Sequence, residues 1–138
     1  MPKSGPSRRS VLIGSALLFS GLASQVWAQA KSRVKFAKGN DNTAVNGAVA
    51  GKQYKDYLLG AKAGQTMGVS LITDGSAFFN ILPPGSNDVA IYNSSIYGND
   101  ATNVRLPKSG DYTIRVYLMG QAEEENVPVP YTLSMTIM

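Results

Sequence analysis

The chain of 138 residues contains no cysteine and no histidine. The absence of cysteine excludes disulfides and thiolate metal sites. The absence of histidine removes the commonest general base and transition-metal ligand, so Ser-His-Asp catalysis, Cys-His catalysis and typical zinc chemistry are excluded. The sequence therefore predicts a protein that has no catalytic residues, is not an enzyme, and binds no metal and no cofactor.

A long hydrophobic run is also missing. The most apolar stretch, residues 11–22, is shorter than the about 20 apolar residues that a transmembrane helix needs, and glycine and serine interrupt it. Basic residues precede this stretch, and Ala28-Gln29-Ala30 follows it as a small-x-small cleavage site. That order predicts a removable export signal over residues 1–30 and a mature domain over residues 31–138, which is periplasmic or secreted and not bound to a membrane.

The basic part of this leader carries a pair of arginines, Arg8 and Arg9, followed by Val11 and Leu12. The run resembles the twin-arginine export signal, in which two arginines precede an apolar residue and a leucine. That signal usually has phenylalanine at the position of Val11, so the general secretory route remains the alternative. Arg8 and Arg9 are thus the predicted signal residues.

The net charge gives little support for nucleic-acid binding. The whole chain has 13 basic and 9 acidic residues, which gives a net charge of +4. Lys3, Arg8 and Arg9 belong to the predicted leader, so ten basic and nine acidic residues remain and the mature net charge is +1. Nucleic-acid binding requires several cations that neutralise phosphates together, so no nucleic-acid partner is predicted.

After residue 31, apolar and polar residues alternate with period two, and Gly, Pro, Asn and Asp break the alternation at short intervals. The clearest segments are 112–118 and 131–137, and no segment shows a convincing helical pattern. The alternation is typical of antiparallel strands with one wet face. Val89 and Ile91 are predicted to begin a short strand, and residues 93–100 to form a loop.

About eight strands in the mature part predict an all-β fold, a single antiparallel β-sandwich, because one flat sheet would leave an apolar face in water. Residues 119–130 join the last two predicted strands. This segment is either the loop of a hairpin or a crossover between the two sheets.

Three segments carry a family resemblance: Tyr54–Thr66 (YKDYLLGAKAGQT), Leu106–Val116 (LPKSGDYTIRV) and Tyr131–Leu133 (YTL). Together they resemble the periplasmic inhibitor of g-type lysozyme family and, more distantly, the pre-peptidase C-terminal (PPC) β-sandwich domains. The resemblance implies a β-sandwich that inhibits a peptidoglycan-cleaving lysozyme by occupying its active-site cleft, with a g-type enzyme as the expected partner. The alternative is a non-catalytic, PPC-like module that binds carbohydrate or the cell surface.

Lysozyme inhibitors of several families carry a Ser-Gly-x-Tyr type loop that enters the cleft, and Ser109, Gly110 and Tyr112 match it here. The cleft works with carboxyl groups, so hydroxyl and backbone donors beside a cation suit it. The resemblance thus implies that the partner-binding residues are Lys108, Ser109, Gly110, Tyr112 and Arg115. The competing interpretation is that Ser109-Gly110 is only a turn and Tyr112 a core residue, because Tyr112 is in phase with its apolar strand.

The acidic and aromatic residues outside this loop also bear on the choice of partner. The family commonly has several basic residues after the 110–118 segment, whereas this chain has Glu123-Glu124-Glu125, which an acidic cleft would repel. We expect a solvated loop tip there and not a calcium site. Asp56 and Asp111 are expected to face solvent. A carbohydrate-binding module would use outward tyrosines, namely Tyr54, Tyr92, Tyr97 and Tyr117.

The export signal can be tested by changing Arg8 and Arg9 together to lysine. The twin-arginine machinery reads the guanidinium pair and not positive charge alone, so precursor is expected to accumulate inside the cell. The measurement is the ratio of precursor to processed protein in cell fractions. Normal processing of the double variant would assign the leader to the general secretory route.

Overall fold

The computed structural model describes residues 31–138, and the predicted signal, with Arg8 and Arg9, lies outside the described residues. The described chain forms strands and two short helices, in the following order: β1 (Lys31–Arg33), β2 (Asn42–Val49), β3 (Tyr54–Ala61), β4 (Thr66–Ile72), β5 (Ala77–Leu82), β6 (Tyr92–Asn93), α1 (Ser94–Tyr97), β7 (Asp100–Arg105), β8 (Gly110–Leu118), α2 (Gln121–Glu125) and β9 (Val129–Ile137). Within this part of the chain, no helix has the length and apolar character needed to cross a bilayer.

The strands form two sheets. The first has the order β1-β3-β8-β5-β6 and the second has the order β2-β9-β4-β7. All neighbours are antiparallel except β1 and β3, which are parallel. Because β8 and β9 belong to different sheets, the segment between them is a crossover and not a hairpin loop. The predicted all-β sandwich is confirmed.

The core lies between the two sheets and is built mainly by alternate residues of the longer, inner strands. On β8, Tyr112, Ile114 and Val116 are fully buried, and on β9 so are Leu133 and Met135. The residues between them in sequence are half-buried or exposed on the outer faces. Successive side chains of a strand point to opposite faces of the sheet, so only a sequence in which apolar and polar residues alternate can place all its apolar side chains inward. The alternation in the sequence therefore determines which face of each sheet enters the core.

Two tyrosines meet inside the core. The hydroxyls of Tyr57 on β3 and Tyr131 on β9 form a hydrogen bond of 2.6 Å that joins the two sheets. Burial raises the pKa of both phenols. A side chain at Gly47 on β2 would place its Cβ 2.6 Å from the Tyr131 hydroxyl, so this strand position requires glycine.

The structure corrects several details of the sequence prediction. Strand β2 was not predicted, and the predicted 93–100 loop contains helix α1. The predicted strand at Val89 and Ile91 is wrong, because the strand is Tyr92–Asn93 and Val89 is 69% exposed. Helix α2 occupies part of the crossover, where no helix was expected.

The segments that connect the strands lie at the two ends of the sandwich, which we call the turn end and the helix end. The turn end carries residues 62–65, 83–89 and 106–109, and the helix end carries residues 50–53 and 119–128. Strand β8 runs from one end to the other over nine residues. At about 3.3 Å per residue, this separates the two ends by about 26 Å.

The phase of the strands is tested by three alanine substitutions. Ile114 and Leu133 have no exposed surface, so Ile114→Ala and Leu133→Ala are each expected to lower the free energy of unfolding by about 2–5 kcal/mol. Thr113 lies half-buried on the outer face of β8, and Thr113→Ala should have a much smaller effect. Urea unfolding curves give the comparison. Equal midpoints for the three variants would contradict the assigned phase.

Candidate functional site

The predicted binding corner, residues 108–112, is held from inside by Tyr112. Its ring is fully buried at the start of β8. Its hydroxyl donates to the carbonyl of Lys108 at 2.6 Å and accepts from the backbone N–H of Lys108 at 3.0 Å. The side chain closes the turn on itself and has no exposed surface to offer a partner. Tyr112 is thus both a core residue and the support of the turn.

The exposed residues of the corner are Lys108, Ser109, Gly110 and Asp111. The Oγ of Ser109 accepts a hydrogen bond of 2.9 Å from the backbone N–H of Ala63, which ties the corner to the 62–65 turn. Gly110 has a φ of 141°, which favours glycine, and a Cβ there would lie 3.0 Å from Pro84. The corner is therefore packed against two other segments of the turn end and is a rigid projection.

Backbone bonds reinforce the same junction. The N–H of Gly64 donates to the carbonyl of Leu106 at 2.8 Å, and the N–H of Leu106 donates to the carbonyl of Gln65 at 2.9 Å. Leu106 itself is buried. The 62–65 turn and the corner are therefore joined by several hydrogen bonds. This connection could not be predicted from the sequence, because it joins residues more than 40 positions apart.

Arg115 lies apart from the exposed corner, on the outer face of the first sheet. Its Nε and Nη2 donate to the two carboxylate oxygens of Asp56 at 2.8 and 2.9 Å, and its Nη1 donates to the carbonyl of Asn87 at 3.1 Å. The guanidinium also stacks 4.2 Å from the centre of the Tyr54 ring. The hydrogen bond to Asp56 raises the pKa of Arg115.

These contacts correct the prediction that Asp56 faces solvent. Its side chain is only 1% exposed and that of Arg115 is 18% exposed. Every polar end of this arginine is thus directed to another residue of the sheet or of the 83–89 loop. Arg115 holds that loop against the sheet, and its charge is balanced within the molecule.

Asp111, by contrast, is exposed as predicted and forms an ion pair within the corner. Arg33 donates to both of its carboxylate oxygens, at 2.9 and 2.6 Å. The hydrogen bonds from Arg33 hold the pKa of Asp111 below its ordinary value. The acidic charge next to Gly110 is therefore neutralised, which leaves the ammonium of Lys108 as the unbalanced charge of the corner.

The three glutamates lie at the other end of the molecule. They belong to α2 at the helix end, and Gln121 donates to Glu125 across one turn at 3.0 Å. Glu124 and Glu125 are exposed, as predicted for a solvated tip. Within residues 31–138, no group of three or more acidic residues is arranged to hold a metal ion.

The outward tyrosines do not form one platform. Tyr54 and Tyr117 are neighbours across β3 and β8, and Phe78 lies beside Tyr117 at a ring distance of 6.4 Å. Tyr92 instead stacks on the core residue Phe79 at 5.6 Å, with Tyr97 against it. Of the four predicted tyrosines, only Tyr97 is highly exposed, at 71%.

Known proteins similar to this chain share its length and fold. The inhibitor of g-type lysozyme of Escherichia coli (strain K12) is 27% identical over 124 residues, which cover 89% of this chain and 93% of that protein. The crystal structure of the Aeromonas hydrophila periplasmic inhibitor of g-type lysozyme, PliG, is 33% identical and superimposes with a TM-score of 0.74. That match covers 80% of this chain and 97% of the Aeromonas protein. This chain belongs to the PliG family.

The PliG fold is shared with a second group of domains. The pre-peptidase C-terminal domain of a Bacillus anthracis collagenase superimposes with a TM-score of 0.57 at 18% identity, which is a likeness of fold alone. No family model matches the chain. Both resemblances stated from the sequence, to PliG and to the pre-peptidase domains, are thus confirmed.

The support of the corner is tested by Tyr112→Phe. Loss of the hydroxyl leaves the N–H and carbonyl of Lys108 without their partner, so we expect the free energy of unfolding to fall by about 1–3 kcal/mol. We also expect faster hydrogen exchange at the Lys108 amide. Tyr97→Phe is the matched control, because its hydroxyl makes no hydrogen bond in the described chain. An unchanged Lys108 exchange rate would show that the hydroxyl does not hold the turn.

Proposed function

We propose that this protein is a periplasmic inhibitor of g-type lysozyme that binds the active-site cleft of the enzyme. The observation that carries the proposal is its membership of the PliG family, over nearly the full length of the relatives. A removable twin-arginine signal over residues 1–30 is part of the same proposal, since it would deliver the protein to the compartment in which lysozyme attacks peptidoglycan.

The corner has the physical properties that binding to a cleft with carboxyl groups requires. It presents the Lys108 ammonium and the Ser109 hydroxyl on a turn fixed by Tyr112 and Ala63. Because the Ser109 Oγ accepts its bond from Ala63, its own proton is available to a partner. A donor set that is already ordered loses little conformational entropy on binding. Lys108, Ser109 and Gly110 would therefore make the contacts, and Tyr112 and Arg115 would hold them in place.

The acidic helix does not oppose this binding mode. It lies about 26 Å from the corner, given the rise per residue of β8. The Debye length at physiological ionic strength is about 8 Å, so repulsion between the helix and a cleft seated on the corner is strongly screened. The glutamates would oppose binding only if the helix end entered the cleft. Replacing the glutamates by basic residues should therefore leave binding at the corner nearly unchanged but strengthen binding at the helix end.

The arrangement of Asp56 and Asp111 also supports inhibition by binding alone, without catalysis. A glycosidase needs one carboxyl group as acid and a second as nucleophile or base. Asp56 and Asp111 each accept hydrogen bonds from an arginine through both carboxylate oxygens, so neither carboxyl group is free to serve as acid, nucleophile or base. We therefore propose that the protein has no catalytic activity of its own.

The test is inhibition of a g-type lysozyme in a lysis assay, with c-type and i-type enzymes for comparison. We expect Ser109→Ala and Lys108→Ala each to weaken inhibition of the g-type enzyme by more than about fivefold, since a desolvated contact at an interface can contribute more than 1 kcal/mol. Ser76→Ala and Lys52→Ala are matched controls, because both residues are exposed and far from the corner. Lys52 lies in the 50–53 turn of the helix end, and Ser76 precedes Ala77, which pairs with Leu118 at the same end.

Replacing Glu123, Glu124 and Glu125 together by lysine distinguishes the two ends. If the corner enters the cleft, this variant should inhibit within about twofold of the unmodified protein at physiological salt. Stronger inhibition by the triple variant, together with no effect of Ser109→Ala, would place the contact at the helix end. Absence of any lysozyme inhibition at micromolar concentration would overturn the proposed function and favour a surface-binding module.

A further inference from the structure

One side of the sandwich is open. The edge strand of the first sheet, β1, and the edge strand of the second, β2, border a cleft of about 450 Å³. We call it the edge cleft. It is lined by Arg33, Val34, Lys35, Val45, Lys55 and Tyr57, together with neighbouring polar residues of β1 and β2. It does not include the corner.

The cleft exposes backbone hydrogen-bonding groups. The N–H of Val34 donates to the carbonyl of Leu58 on β3 at 2.8 Å, so this residue directs its backbone toward the sheet. Its neighbours Arg33 and Lys35 direct theirs to the other side, because backbone groups alternate along a strand. Among the described residues, no strand pairs with this side of β1. Such an edge is a template for an added strand.

The rim of the cleft is positively charged. The segment 31–38 contains Lys31, Arg33, Lys35 and Lys38 and no acidic residue. Arg33 is paired with Asp111, but within residues 31–138 the lysines of this segment and Lys55 form no salt bridge. Lys55 is half-buried and shares its face of β3 with the core residue Tyr57. An anionic ligand would therefore meet several uncompensated cations.

The inside of the cleft is apolar. Val34 is buried, and Val45 is half-buried and packs against the core beside it. A strand added to β1 would turn alternate side chains toward these valines and toward the exposed lysines. A ligand with alternating apolar and acidic residues satisfies both environments. Lysine on a sheet edge disfavours a second copy of the same edge, since like charges would face each other.

We propose that the edge cleft binds an extended acidic peptide segment of another protein, which adds to β1 as a strand. Its carboxylates would pair with Lys31 and Lys35, and its apolar side chains would enter the cleft beside Val34 and Val45. This site goes beyond lysozyme inhibition at the corner. The two sites share one link, the ion pair between Arg33 of the cleft and Asp111 of the corner.

Binding is measured by fluorescence anisotropy of a labelled ten-residue peptide of alternating glutamate and valine. We expect the purified protein to bind it and Lys35→Glu to weaken binding by at least about tenfold, because the substitution replaces attraction by repulsion. Arg105→Glu is the matched control, since it makes the same charge change at an exposed position on β7, the opposite edge of the second sheet. It should bind within about twofold of the unmodified protein.

A second peptide separates strand addition from simple attraction of charge. Methylation of alternate backbone nitrogens removes the donors that would pair with β1 and keeps the charge, so it should weaken binding by at least about tenfold. The amides of residues 31–35 should also show slower hydrogen exchange when the unmodified peptide is bound. Equal affinity of the methylated peptide, equal binding of inorganic polyphosphate, or no binding of the glutamate-valine peptide would each overturn the proposal. Lysozyme inhibition by Lys35→Glu is expected to be unchanged.

Discussion

The alternation of buried and exposed side chains along β8 is the constraint on which the other features depend. Its inward residues form the middle of the first sheet's core face. The first of them, Tyr112, also closes the corner through Lys108. Its outward residue Arg115 fixes Asp56 and the loop that contains Asn87. A shift of one residue in this strand would turn Arg115 into the apolar core and expose Tyr112, so the core and the corner can form only together.

The charges of the described chain are separated in space although their sum is close to zero. Four basic residues lie in the segment 31–38, which contains β1, and the three consecutive glutamates lie on α2. Asp56 and Asp111 are each paired with an arginine. Net charge alone therefore says little about partners for this protein. A surface arranged in this way can meet one partner through a rigid corner that carries the single charge of Lys108 and another through an edge that carries several cations, each with its own dependence on salt.

The strict alternation of 112–118 and 131–137 was enough to predict the two central strands and their inward faces. Strand β2 escaped prediction because Asn42–Val49 is rich in small and polar residues, which have low strand propensity. It is a strand because β9 pairs with all of it and because Gly47 leaves room for the hydroxyls of Tyr57 and Tyr131. The burial of Asp56 also could not be predicted, because it depends on pairing between distant strands. Its partner Arg115 is 59 residues away, and only the register of β3 on β8 brings the two together.

The position of β9 determines when the second sheet can form. This strand contains the last paired residues of the chain, and it lies between β2 and β4, which do not pair with each other. Asn42 is opposite Thr136, so β2, one of the first strands of the described chain, can pair only once β9, the last strand, is present. Contacts of such long sequence separation are closed slowly. During synthesis, β2 and β4 are made well before the strand that joins them, and the second sheet can close only after β9 has been made.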